Sequence, residues 1–202
     1  MTSDGTRTGD QGAVAASAGA AAARRPRARY LLAAVTGVIL VLDLVTKYLA
    51  VSLLEGRDPV RLLGGAVYLL LTRNSGAAFS IGANVTFIFP IVGMLVVGWI
   101  VWMAREVVST PWAVALGLVL GGAVGNLIDR IFRAPGPFQG HVVDFISVFD
   151  ARGAGFPVFN VADSALCVGV GLAILLEFTG RRRDGAPQRP PGDVADSQRA
   201  GD

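Results

Sequence analysis

The sequence predicts a mainly α-helical membrane protein, a bundle of four transmembrane helices with a small extracytoplasmic sheet. Two observations carry that reading. Hydrophobic residues make up 52% of the 202-residue chain and charged residues only 16%, too apolar for a surface that faces water throughout. The apolar residues are also gathered into runs of about 20 with almost no charge, the length that crosses a bilayer core of about 30 Å.

The elements follow in order. Residues 1–29 are rich in Ala, Gly, Ser and Thr and are expected to form a disordered cytoplasmic tail, because so few large side chains bury too little surface to offset ordering entropy. The first span is placed at Tyr30–Leu54, longer than the apolar core of a cleaved signal. Ala66–Thr72, apolar and partly β-favouring between Gly64-Gly65 and Asn74-Ser75-Gly76, reads as a strand outside the membrane. The second span is placed at Thr86–Met103, with Asn84 as its cap. The third is Pro111–Phe132, and the fourth Val158–Phe178 after the helix-breaking Ala134-Pro135-Gly136-Pro137. Glycines in the third and fourth spans allow close helix approach. Residues 30–180 thus form one domain, and residues 181–202, dominated by Arg, Pro, Gly and Asp, are expected to be a second disordered cytoplasmic tail.

Arginine placement orients the bundle. Arg24, Arg25, Arg27, Arg29, Arg105, Arg181, Arg182 and Arg183 fall on one side, against Arg57, Arg61, Arg73, Arg133 and Arg152 on the other. The larger set marks the cytoplasm, so both termini are expected there. The net charge of +3 lies in arginine clusters without the aromatic or Gly-rich patterns of RNA binding, and nucleic acid is not an expected partner. With Cys167 the single cysteine and His141 the single histidine, no metal site is expected.

Polar residues inside the spans share one layer. Asp43 lies roughly 20 Å from the inner end of the first span and Asn126 roughly 22 Å up the third, while Asp163 enters the fourth near its outer end. Asp43 and Lys47, Asn126 and Asp129, and Asn160 and Asp163 are spaced four or three apart, so each pair occupies one helical face. Asp43 with Lys47, and Asp129 with Arg130 or another external arginine, read as structural pairs. Asp144, in the loop before the fourth span, and Asp163 have no adjacent cation. Aspartates near hydrocarbon are functional candidates by default, and two carboxylates meeting in a poorly hydrated site share one proton, the state that aspartyl hydrolysis uses. A serine–lysine scheme with Ser75, Ser80 or Ser164 is weaker, because Lys47 already has Asp43 one turn away.

Read together, Asp43-Leu44-Val45-Thr46-Lys47, Asn74-Ser75-Gly76-Ala77-Ala78-Phe79-Ser80, Gly125-Asn126-Leu127-Ile128-Asp129-Arg130, Val142-Val143-Asp144-Phe145 and Phe159-Asn160-Val161-Ala162-Asp163-Ser164 resemble the lipoprotein signal peptidase (signal peptidase II) family over about residues 30–178. The resemblance implies a four-helix bundle with an extracytoplasmic β-cradle in the bacterial cytoplasmic membrane. It implies an aspartyl endopeptidase that cleaves the signal peptide from diacylglyceryl-modified prolipoproteins just before the lipidated cysteine. Asp144 and Asp163 would be the catalytic pair, Asn74, Asn126, Arg130 and Asn160 would line the site, and Asp43, Lys47 and Asp129 would be structural. No cofactor is implied, the partners are prolipoprotein substrates and membrane lipid, and the enzyme is expected to act as a monomer. Ser147 and Phe156 stand where many members carry an acid and a tryptophan. A small proton- or ion-coupled transporter is the alternative; it predicts acids near the midplane with access from both sides, whereas here they cluster on one side.

Overall fold

The computed structural model describes residues 6–76, 87–153 and 155–184, with side chains from residue 27 onward. Helix α1 spans Thr6–Leu54, α2 Ile88–Ala104, α3 Thr110–Phe132 and α4 Val161–Phe178. Strands β1 (Val60–Leu62), β2 (Val67–Asn74) and β3 (Val142–Val148) form an antiparallel sheet in the order β1-β2-β3. By length and composition three helices suffice to cross a membrane, α1 through its Arg27–Leu54 part, α3 and α4; α2, at 17 residues, is shorter.

Helix α3 is the hub. Its Trp112, Leu116 and Leu120 are buried with Leu32 of α1, Ile100 of α2 and Leu176 of α4. Small residues set the spacing: a Cβ on Gly121 would lie 2.8 Å from the Cβ of Ile39 on α1, so only glycine lets the two backbones approach this closely. Thr36 Oγ1 donates to Gly117 O across the same seam at 3.2 Å. The outward faces carry exposed Val41, Val45, Leu95, Trp99, Val168 and Leu175; an apolar surface this extensive belongs against lipid.

Some expectations change. Composition argues for a tail without order over residues 1–29, yet α1 begins at Thr6; the alanines that bury little surface are also the strongest helix formers. Residues 1–5 lie outside the described residues, as do 185–202 of the C-terminal tail and the expected cap Asn84. Just beyond the expected edge at 180, Arg181–Asp184 lies against the bundle. Val108 N and Ser109 N donate to Arg183 O at 2.9 and 3.1 Å, and Trp112 Nε1 donates to Arg181 O at 2.6 Å. The first N–H groups of a helix have no intrahelical acceptor, Ser109 supplies no side-chain cap to α3, and the carbonyls of this strap serve the turn that enters it. Finally, Asp144 lies in a strand, not a loop: β3 pairs with β2, with Thr72 opposite Asp144 and Asn74 opposite Val142.

The strand expected at Ala66–Thr72 is β2, two residues longer at its far end. The segment before α4 is extended as well: Phe145 N and Ile146 N both donate to Phe159 O, and Phe159 N donates to Ile146 O at 2.9 Å. That pairing delays the start of α4 from the expected Val158 to Val161. It also ties the centre of β3, next to Asp144, to the residue just before the N-cap of α4, the helix that carries Asp163.

Candidate active site

Asp163 is placed by helix chemistry. Asn160 caps α4, its Oδ1 accepting from Asp163 N at 2.9 Å, while Asp163 Oδ2 accepts from Asn160 N at 3.2 Å. This reciprocal capping box satisfies two orphan donors and holds the carboxylate at the positive end of the helix. The other oxygen, Oδ1, accepts from Asn126 Nδ2 of α3 at 2.7 Å.

Asp144 is placed by sheet pairing. Its Oδ1 accepts from Asn160 Nδ2 at 2.7 Å and its Oδ2 from Asn74 Nδ2, at the end of β2, at 3.0 Å. Asn74 is itself held by Gly76 N, which donates to its Oδ1 at 2.8 Å. Asp144 is 1% exposed. Burial, reinforced by the nearby charge of Asp163, pushes its carboxyl up to about 6, against the lowering effect of the Asn74 and Asn160 amides. Loss of water disfavours the charged form, and two amide donors recover only part of that.

The remaining polar residues form a second cluster below. Lys47 Nζ reaches Asp43 Oδ2 at 2.8 Å, Asp129 Oδ2 at 2.9 Å and Asn126 Oδ1 at 3.0 Å. Asp43 Oδ1 accepts from Ala162 N at 3.0 Å, and Asp129 Oδ2 from Val143 N at 3.2 Å. One acid thus satisfies a backbone donor of α4 and the other a donor of β3, the two elements that carry Asp163 and Asp144. Gly125 is required beside them, since a Cβ there would sit 2.5 Å from Asp43 Oδ2.

Asp129 pairs with Arg133 and Lys47 and makes no ion pair with Arg130 among the described residues. Of the partners expected for Asp129, Arg130 or another external arginine, it is the second kind that the structure shows: Arg133, one helical turn on at i,i+4. Arg130 instead turns toward the aspartates: its charge interacts with both Asp144 and Asp163, its guanidinium lies 5.6 Å from the Phe89 ring, and Nη1 donates to Asn126 O at 3.4 Å. Its Nε is buried without a hydrogen-bond partner among the described residues.

The structure therefore brings Asp144, Asp163, Asn74, Asn126, Asn160 and Arg130 into one network at one end of the bundle, with Asp43, Lys47 and Asp129 beneath. Ser164 Oγ donates to Asn160 O at 3.0 Å and Lys47 spends its contacts on three acceptors, which leaves the serine–lysine scheme without support. Ser80 lies outside the described residues. A helical membrane bundle with two carboxylates in a partly buried amide network has the architecture of a membrane-embedded hydrolase.

Comparison with known proteins makes the class specific. The family described as Signal peptidase (SPase) II matches residues 35–179. A lipoprotein signal peptidase of Mycobacterium avium (strain 104) is 48% identical over 170 residues, covering 84% of this chain and 91% of the relative. One from Rhodococcus jostii (strain RHA1) is 50% identical over 157 residues, covering 78% of this chain and 77% of the relative. Two solved structures, each described as a bacterial membrane enzyme determined by the in meso method, are similar. The one at 1.9 Å has a TM-score of 0.63 at 30% identity, covering 72% of this chain and 91% of that one. The one at 2.3 Å has a TM-score of 0.64 at 27% identity, covering 79% and 94%. The chain belongs to the signal peptidase II family. It is a bacterial membrane protein and an aspartic peptidase by family.

Proposed function

We propose that the protein cleaves the signal peptide from diacylglyceryl-modified prolipoproteins, immediately before the lipidated cysteine, with Asp144 and Asp163 activating one water. The observation that carries this is Asn160: a single side chain donates to Asp144 and caps the helix turn that holds Asp163, so strand and helix deliver both carboxylates to one place.

The chemistry follows from their surroundings. Asp144, pushed up to about 6, is the member that holds the shared proton and donates a hydrogen bond to the scissile carbonyl oxygen. Asp163, with N–H donors on both oxygens, takes a proton from the attacking water. Asp144's proton reaches the carbonyl oxygen as the tetrahedral intermediate forms; on its collapse Asp163 passes the water's proton to the departing amine nitrogen while Asp144 takes back a hydroxyl proton, which leaves the carboxylic acid product and restores the pair. Asn74 and Asn126 keep each carboxylate oriented. Arg130, whose Nε is unpartnered among the described residues and whose charge interacts with both acids, is placed to receive a backbone carbonyl of the substrate.

The depth suits a lipidated substrate, whose acyl chains stay in the leaflet while the peptide bond reaches water. The site sits where α1 and α3 end and α4 begins. The opposite end carries Arg29, which donates to Arg105 O, and the Arg181–Arg183 strap. The arginine excess at that end supports a cytoplasmic location for both termini and an extracytoplasmic site. The apolar outward faces of the helices support contact with membrane lipid, and the enzyme is proposed to act as a monomer. A transporter would need a polar path through the inner half, and the core there is apolar.

The substrate class is tested with purified enzyme in detergent, offered the same precursor with and without the diacylglyceryl group. The expected result is cleavage of the lipidated form at least tenfold faster; equal rates would indicate a general peptidase.

A further inference from the structure

We infer that Lys47 is a positioning residue for hydrolysis, fixing the amide of Asn126 so that its N–H₂ faces Asp163. The inference rests on the proposed role of Asp163 and assigns Lys47 more than ion pairing.

An asparagine amide has two faces of similar shape and opposite hydrogen-bonding character, so something must choose between them. An ammonium has donors only. Lys47 Nζ, fully buried, lies 3.0 Å from Asn126, and the atom facing it must be the oxygen. Asn160 makes the same demand: its own Oδ1 is taken by Asp163 N, so its N–H₂ points outward and donates to Asn126 Oδ1 at 3.1 Å. With the oxygen held by two donors, the Asn126 N–H₂ is left toward Asp163 Oδ1 at 2.7 Å. The reversed amide would set donor against donor at Lys47 and oxygen against carboxylate at Asp163, losing charge-assisted contacts on both sides.

Ion pairing alone does not call for this arrangement. Asp129 already has Arg133, so Asp43 and Lys47 balance each other. The third contact of the ammonium goes to a neutral amide and leads to the reacting carboxylate.

A bare Lys47 variant would leave Asp43 uncompensated and confound stability with catalysis. The test therefore uses two charge-balanced double variants, D43N/K47M and D43N/K47Q. In both, the amide that replaces the Asp43 carboxylate keeps an oxygen for Ala162 N. Met and Gln match in length, but only Gln can donate to Asn126 Oδ1. With lipidated precursor, kcat of D43N/K47Q should exceed that of D43N/K47M by about tenfold, the equivalent of one hydrogen bond of about 1.4 kcal/mol, with KM within twofold. Equal kcat in the two would overturn the positioning role, whatever their thermal stabilities. Failure of the dyad reading shows separately, as turnover by Asp163→Asn in the Lys47 background.

Discussion

Asn160 is one side chain on which three requirements meet: a helix needs a cap, a strand carboxylate needs a donor, and a neighbouring amide needs its oxygen engaged. Asn160→Ala is expected to lose about 1 kcal/mol of stability from the cap alone, read as a lower Tm, and to lower kcat much further because Asp144 and Asp163 are no longer held from a common point. Asn74 acts on one acid only. Its amide counters the upward push of burial on Asp144, so in Asn74→Ala that carboxyl should titrate higher still. Cleavage that needs Asp144 protonated falls as pH rises through its titration, and in this variant the fall should move up by roughly one unit, measured from the pH profile of kcat/KM. The same shift has a stability sign. Asp144 binds its proton more tightly in the folded protein than in the unfolded chain, so its contribution favours folding at low pH and is lost as pH rises from about 4 through about 6. Wild type should lose Tm over that window more steeply than Asp144→Asn, whose slope lacks this group.

At the level of elements, the spans are legible in the sequence and their partners are not. Long apolar runs announce helices whatever they pack against, and α3 occupies nearly the expected residues. The identity of β3 depends on a distant β2: Asn74 and Asp144, joined side chain to side chain, are 70 apart in sequence. A segment as short as Val142–Val148 carries too little periodicity to declare a strand before its partner is known, so Asp144 reads as a loop residue. Polar pairs within one helix are visible from spacing. Their contacts across helices, such as Asp43 with Ala162 N at a separation of 119 residues, depend on how α1 meets α4. The terminal segments show the limit of composition: the alanines that argue for disorder by lack of bulk also favour helix, and the strap at Arg181–Asp184 is recruited by donors near the start of α3. Truncation after Gly180 should lower Tm, since it removes the acceptors for Val108 N, Ser109 N and the Trp112 indole; each buried donor left alone costs about 1–3 kcal/mol. An unchanged Tm would show that water replaces the strap.

For the whole molecule, the fold separates two tasks along the membrane normal. The half that carries the Trp112 core is apolar and closely packed. The other half holds buried Asp43, Lys47 and Asp129, with half-buried Arg133 at their edge completing a cluster whose charges balance, and above it the amide network around two acids. The lower cluster spends its carboxylate oxygens on backbone donors of α4 and β3, so it fixes the relative placement of the elements that bear Asp163 and Asp144. A base of this kind holds the two proposed catalytic carboxylates in fixed relation to each other. The central claim is that those two carboxylates act as a single unit. It is tested by measuring cleavage of purified lipidated precursor by Asp144→Asn, Asp163→Asn and the double variant, each verified as folded and membrane-inserted. Either single change is expected to lower kcat by about 10³-fold or more, and the double variant to be no worse than the singles, as for residues that share one step. Substantial turnover by either single variant would contradict it.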